Sequence, residues 1–210
     1  MKSILISIKP YWVAKILNGE KTIEVRRTAP KCELPIEVYI YCTKNKLHYR
    51  VGALIFNRDD CFKHSVDGTY KYGDSVELMG YSPDYPYDKN NFLNGKVVAK
   101  FTLREVTKYI NGCNVYKDSG YMFGDAEREG VYKKACLSES ELDRYCPDES
   151  FYAWHIEDLQ IFDEPKEISE FKYEKKKVRL TEKYHWKTER LGLVQVKKAP
   201  QSWQYVEEKA

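Results

Sequence analysis

No Cys-x-x-Cys pair occurs among the six cysteines, Cys32, Cys42, Cys61, Cys113, Cys136 and Cys146. The four histidines, His48, His64, His155 and His185, are scattered. The ligand spacing of a zinc site is therefore missing, and the cysteines read as free thiols, several of them core fillers. No run is long and apolar enough to span a bilayer; Ile4 to Ile8 is only of strand length. No signal peptide is read either, so the expectation is a soluble, cytoplasmic protein. Also absent are a Walker loop, Gly-x-Gly-x-x-Gly, His-Glu-x-x-His and Gly-x-Ser-x-Gly. Phosphate-loop nucleotidases, dinucleotide enzymes, zinc peptidases and serine hydrolases of the nucleophile-elbow type lose their signatures with them. The expectation is a protein without a cofactor or metal. Asp59-Asp60 is an adjacent acidic pair and reads as a solvated turn.

What is present is length, aromatic content and an uneven charge. A chain of 210 residues can bury roughly 70% of its unfolded surface, so one decorated domain is the prior. Aromatic residues make up 14% and include 18 tyrosines, many expected to be half-buried with the hydroxyl wet. Net charge is +3, but residues 172–210 carry eleven Lys and Arg against five Glu, a net +6, leaving −3 for the rest. Two readings stand side by side: a polyanion partner, or a solvated linker with ordinary lysines.

The most informative stretch is Lys9 to Arg27, KPYWVAKILNGEKTIEVRR. Pro10 suits the first position of a helix over 10–18, where its missing N–H costs nothing. Trp12, Val13, Ile16 and Leu17 recur at helical spacing, and Gly19 fits the left-handed residue that ends a helix. Residues 22–27 then alternate as a strand. Ile23 and Val25 point one way; Thr22, Glu24 and Arg26 point the other, with Lys21 at the mouth. This is either one wall of a ligand site or the solvated face of an edge strand.

Around it the pattern gives a first strand over 3–8 and a strand over 36–42 with Ile36, Val38, Ile40 and Cys42 on one face. Residues 45–94 read as an insertion with candidate strands at 51–56 and 75–79. Its GYSPDYPYDKNN segment reads as a loop whose Tyr81, Tyr85 and Tyr87 stiffen it or stack on bases. A long strand is expected over 95–107, and a helix over 138–145 capped by Ser138 with Glu141. A strand is expected over 151–162, bent near His155, with 165–171 leading away from it. Residues 191–196 and 203–206 are expected to fold back, since a loose tail would waste Trp186 and Trp203.

ILISIKPYWVAKILNGEKTIEVRR resembles the ASCH domain of the PUA-like superfamily, with its helix, its Gly-x-Lys and a strand carrying Lys-x-x-Glu-x-Arg. Here these are Gly19, Lys21, Glu24 and Arg26. The likeness continues through VYIYCTK, GKVVAKFTL and SFYAWHIEDLQIFDEPKEISEF, and APQSWQYVEE resembles a tail of longer bacterial and phage members. It implies an α+β fold: a small mixed or antiparallel β-barrel flanked by short helices, as a domain over 1–171 with a basic extension over 172–210.

Three functions follow from the resemblance. The first is a module binding RNA, a nucleoside or a nucleotide in a cleft beside the first helix. Lys9, Lys21, Thr22, Glu24, Arg26 and His155 would be its polar contacts. Glu24 would accept from a base amino group, Lys21 and Arg26 would meet phosphate or carbonyl oxygens, and Lys9 would hold a phosphate at the helix start. The second is a hydrolase of the same cleft, an N4-acylcytidine amidohydrolase or a ribonuclease, with Lys21 and Glu24 as its catalytic groups. The threonine of that amidohydrolase pattern is replaced here by Glu24. Thr22 lies two residues off, roughly 7 Å along the strand, and Glu127 and Glu129 are candidates for the later glutamate. The third is a phage- or mobile-element interaction module contacting a protein partner through 172–210. Trp12 and Trp154 read as core, which leaves His155 facing the cleft or making a structural hydrogen bond.

Overall fold

The apolar alternation of the chain is spent on one wide sheet. The computed structural model describes residues 2–44, 53–55, 77–79, 93–110, 125–146, 150–180 and 186–208. β1 (Lys2–Ile8), β3 (Ile36–Cys42), β6 (Val97–Leu103), β9 (Glu157–Lys166), β10 (Phe171–Leu180), β11 (Trp186–Gln195) and β12 (Trp203–Glu208) form a seven-stranded sheet. Its order is β11-β10-β12-β1-β3-β6-β9. β1 runs parallel to β3 and antiparallel to β12, so the sheet is mixed. β1 is buried from Ser3 to Ile8, because each of its faces meets a layer. Ile4, Ile6 and Ile8 join Val38, Ile40, Cys42, Phe101 and Leu103 in the main core, while Leu5 packs behind with Tyr39, Phe171 and Val206.

A second sheet holds β2 (Ile23–Arg26), β8 (Ser150–His155) and β7 (Val106–Ile110), in the order β2-β8-β7. Helix α1 (Pro10–Leu17) contributes Val13, Ala14, Ile16 and Leu17 to the main core. α1 stops where Gly19 takes φ +73 and its N–H reaches the Ile16 carbonyl. Helices α2 (Asp125–Ala135) and α3 (Glu139–Tyr145) lie over the other face of β2 and β8. Val131, Ala135 and Leu142 meet Ile23, Val25, Phe151 and Ala153 there. Ser138 caps α3 with Glu141 in a reciprocal capping box.

Three expectations change. The described strands form three sheets and none closes on itself, so the expected barrel is not found among the described residues. The single strand expected over 95–107 is two strands, β6 and β7, which belong to different sheets. The strand expected over 151–162 likewise divides into β8 and β9, the bend near His155 being the point of division. Chains that switch sheets need a corner. Arg104 supplies one and reaches the other, with ion pairs to Glu157 at 3.3 Å and Asp158 at 2.8 Å. α2, not foreseen, carries few apolar residues to betray it.

Within the insertion, β4 (Ala53–Ile55) pairs antiparallel with β5 (Glu77–Met79), inside the two expected stretches. Tyr81, Tyr85 and Tyr87 lie outside the described residues. Beyond the short 3-10 turn Ile168–Glu170, β10 leaves the body and β11 returns; β12 then inserts beside β1. Among the described residues no helix is long and apolar enough to cross a membrane.

Candidate functional site

β2 is buried on both faces, contrary to a solvated edge strand. Ile23 and Val25 enter the small core under α2 and α3. Glu24 and Arg26 take the other face, towards the seven-stranded sheet. Register fixes this arrangement: Glu24 lies opposite Trp154 and Arg26 opposite Tyr152, while Ile23 lies opposite His155. Directly opposed residues share a face. Trp154, wholly buried in the main core, therefore marks the side on which Glu24 and Arg26 sit.

Lys21, Glu24 and Arg26 meet there. They are 3%, 7% and 6% exposed. The Lys21 ammonium lies 3.4 Å from Glu24 Oε2, and Arg26 Nη2 lies 3.1 Å from Glu24 Oε1. Lys21 also donates to the Ala135 carbonyl at 2.7 Å, where α2 ends, and stands 5.1 Å from the centroid of the Trp12 ring. Arg26 Nη2 donates to the Ser7 carbonyl of β1 at 2.7 Å, and Nη1 reaches Ser202 Oγ at 3.4 Å. One carboxylate is thus shared by two cations, and the chain of contacts ties α2, β2, β1 and the segment before β12 together. Arg26 Nε is the buried side-chain polar atom without a hydrogen-bond partner among the described residues.

The remaining expected contacts do not join this cluster. Thr22 is exposed, its backbone N–H held by the Lys134 carbonyl. Lys9 is exposed at the N-terminal cap of α1. His155 faces the Ile23 side of the sheet, and its Nε2 lies 3.1 Å from Thr107 Oγ1. Its placement is that of a structural hydrogen bond, because the strand alternation that buries Trp154 on the Glu24 side sends its neighbour away. Glu129 is exposed on α2, and the Glu127 side chain lies outside the described residues.

Sequence reasoning missed Ala135, Ser7, Ser202 and Tyr145. Three of the four act through backbone carbonyls, which no side-chain pattern reports. Tyr145 ends α3, and its carbonyl accepts at 2.8 Å from Nε of Arg27, the residue after Arg26. Burial pushes the Tyr145 hydroxyl above the ordinary tyrosine range; Arg26 opposes that rise and Glu24 adds to it. Its residue is 38% exposed, and the Arg27 guanidinium lies 5.4 Å from its ring centroid.

The fold and this cluster define an α+β protein with a mixed main sheet and a buried, net-cationic centre at the start of its second sheet. No family model and no curated protein matches the chain. Among solved structures it is similar to the ASCH protein of Zymomonas mobilis, at 14% identity and a TM-score of 0.44, over 98% of this chain and 87% of that one. It is similar to a mutant form of that protein too, at 14% identity and a TM-score of 0.44, over 99% of this chain and 91% of that one.

Proposed function

We propose that the chain is an ASCH-like module that binds RNA or a nucleotide, and that Lys21, Glu24 and Arg26 are its central contacts. The observation that carries this reading is the charge of the cluster. Two cations share one carboxylate at more than nine-tenths burial, and Arg26 Nε has no partner among the described residues. Taking a charge out of water costs several kcal/mol unless it is compensated. Glu24 compensates one cation. A phosphate or carbonyl oxygen of a ligand would compensate the second and accept from Nε. Glu24, held between the cations, would set the orientation of a base that offers an amino group. Trp12 offers an aromatic ring 5.1 Å from the Lys21 ammonium, which suits a base more than an inorganic anion.

The hydrolase reading draws no such support. The Thr22 hydroxyl stands apart from the cluster and Glu129 is exposed, so neither supplies the nucleophile or the partner glutamate next to Lys21.

The test is calorimetric titration of the intact protein with the four ribonucleoside monophosphates and a short single-stranded RNA. At least one should bind. Lys21→Met, which keeps most of the unbranched side chain and removes the charge, should weaken that binding at least about tenfold, ~1.4 kcal/mol. If none of the panel binds a folded wild-type protein, the reading fails.

A further inference from the structure

From Glu174 to Lys177 of β10, and from Thr188 to Leu193 of β11, every successive residue is exposed. Neighbouring strand residues point to opposite faces, so both faces of this hairpin meet solvent. Among the described residues its edges are open too. β11 is the outermost strand of the sheet, and β10 pairs with β12 only at Phe171 and Lys172. From Tyr173 onward the two strands form a free ribbon, roughly 26 Å long at about 3.3 Å per residue. Fully buried Phe171 and half-buried Tyr173 anchor its root. Gly192, at φ +87, lies within the register shift that bends the ribbon between Glu174 and Lys176.

The ribbon is strongly basic. β10 and β11 hold Lys172, Lys175, Lys176, Lys177, Arg179, Lys187 and Arg190 against Glu174 and Glu189: seven cations and two anions, a net +5. The whole chain is +3, so everything else sums to −2. Glu174 is shared by Lys176 at 3.4 Å and Arg190 at 3.3 Å. Lys175 and Lys177 make no ion pair among the described residues. An isolated two-stranded hairpin is marginal in water, and crowding like charges on one makes it more so. A polyanion would relieve that repulsion.

We propose that the β10–β11 ribbon is a docking arm for double-helical nucleic acid, lying along a groove with its lysines on the phosphates. The dimensions fit. Strands of a ribbon stand about 4.8 Å apart, and a major groove of about 12 Å admits a two-stranded ribbon. Lysines displayed on both faces suit a groove, whose two walls are both phosphate-lined; a flat anionic surface would engage one face only. The arm stands apart from the Lys21–Glu24–Arg26 cluster and does not depend on what that cluster holds.

The test is fluorescence anisotropy of the full chain with a labelled 24-base-pair DNA duplex, over a salt series starting at about 50 mM. The wild type should bind, with affinity falling linearly on a log–log salt plot. Lys175→Gln/Lys177→Gln should weaken binding at least about fivefold and reduce the slope by roughly 1.8, at about 0.9 per lost phosphate contact. A second pair outside the ribbon, Lys108→Gln/Lys133→Gln, should leave both values unchanged. No duplex binding by the wild type, or equal loss from the two variant pairs, overturns the proposal. Mononucleotide titration reads the buried cluster alone, so failure of either reading is visible without the other.

Discussion

Glu24 decides whether the centre of the molecule is tolerable. It forms ion pairs with Lys21 and Arg26 at once, and all three side chains are buried. Glu24→Ala would leave two buried cations facing each other, and breaking a buried pair in this way costs about 3–5 kcal/mol. Lys21→Ala removes the surplus charge and leaves a neutral Glu24–Arg26 pair, with the Ala135 carbonyl unsatisfied at about 1–3 kcal/mol. Urea unfolding should therefore rank Glu24→Ala as the more damaging; the reverse order would mean that Glu24 does not hold the two cations in the folded protein. A second residue-scale expectation concerns thiols. Burial pushes the Cys42 thiol up to about 12, and Cys146 is buried as well, whereas Cys32 and Cys136 are half-buried. Among the four described cysteines, alkylation of the native protein at pH 8, read by peptide mass spectrometry, should mark Cys32 and Cys136 first and Cys42 only on unfolding. The motif that carries Lys21, Glu24 and Arg26 is legible in the sequence because strand alternation is strict. Its burial is not, since the layers that cover it come from residues 135 and 202, more than a hundred positions away.

At the scale of elements, α3 shows how local chemistry is read directly. Ser138 and Glu141 form the capping box their spacing implies: Glu141 Oε2 accepts the Ser138 N–H at 2.9 Å and its hydroxyl at 2.9 Å. The Ser138 backbone and hydroxyl bonds hold the Glu141 carboxyl below its ordinary value of 4.5. A depressed carboxylate stabilises the fold above the unfolded pKa and loses that contribution as pH falls through the folded one. Glu141→Gln should thus be less stable than wild type at pH 7, and the gap should narrow as the pH is lowered from 4.5 to about 3. Ser138→Ala should cost about 1 kcal/mol at neutral pH. Equal gaps at both pH values, measured by urea unfolding, would remove the carboxylate from the cap. α2 is the contrary case. Val131 and Ala135 enter the core from a segment otherwise rich in Lys and Glu, so periodicity has almost nothing to report. The divided strands fail for a different reason. β6–β7 and β8–β9 are parted only by Arg104–Glu105 and by Ile156, gaps without Gly or Pro to mark a turn, and a period of two says nothing about which sheet a strand joins.

At the scale of the whole molecule, the seven-stranded sheet is held together by its last strand. β12 lies between β1 and β10. Val206 enters the core behind the sheet, and Trp203 packs edge-on to Trp154 with ring centroids 5.5 Å apart. Removing residues 199–210 should therefore abolish cooperative thermal unfolding, monitored by tryptophan fluorescence, rather than trim a dispensable tail. A truncated chain that melts as sharply as wild type would show that β1 needs no partner on that side. The aromatic content of residues 203–206 hints that this stretch folds back, yet nothing in the sequence says which strand it joins. The pairing of Lys2 with Glu207 also has a kinetic side. Contacts between partners so far apart along the chain close late and slowly. Until residues 203–208 have been synthesised, Ile4, Leu5 and Ile6 present an unpaired edge that neighbouring nascent chains can zip onto. Yield in the cell should then depend on translation speed and on the chaperone supply more than on the equilibrium strength of the finished fold.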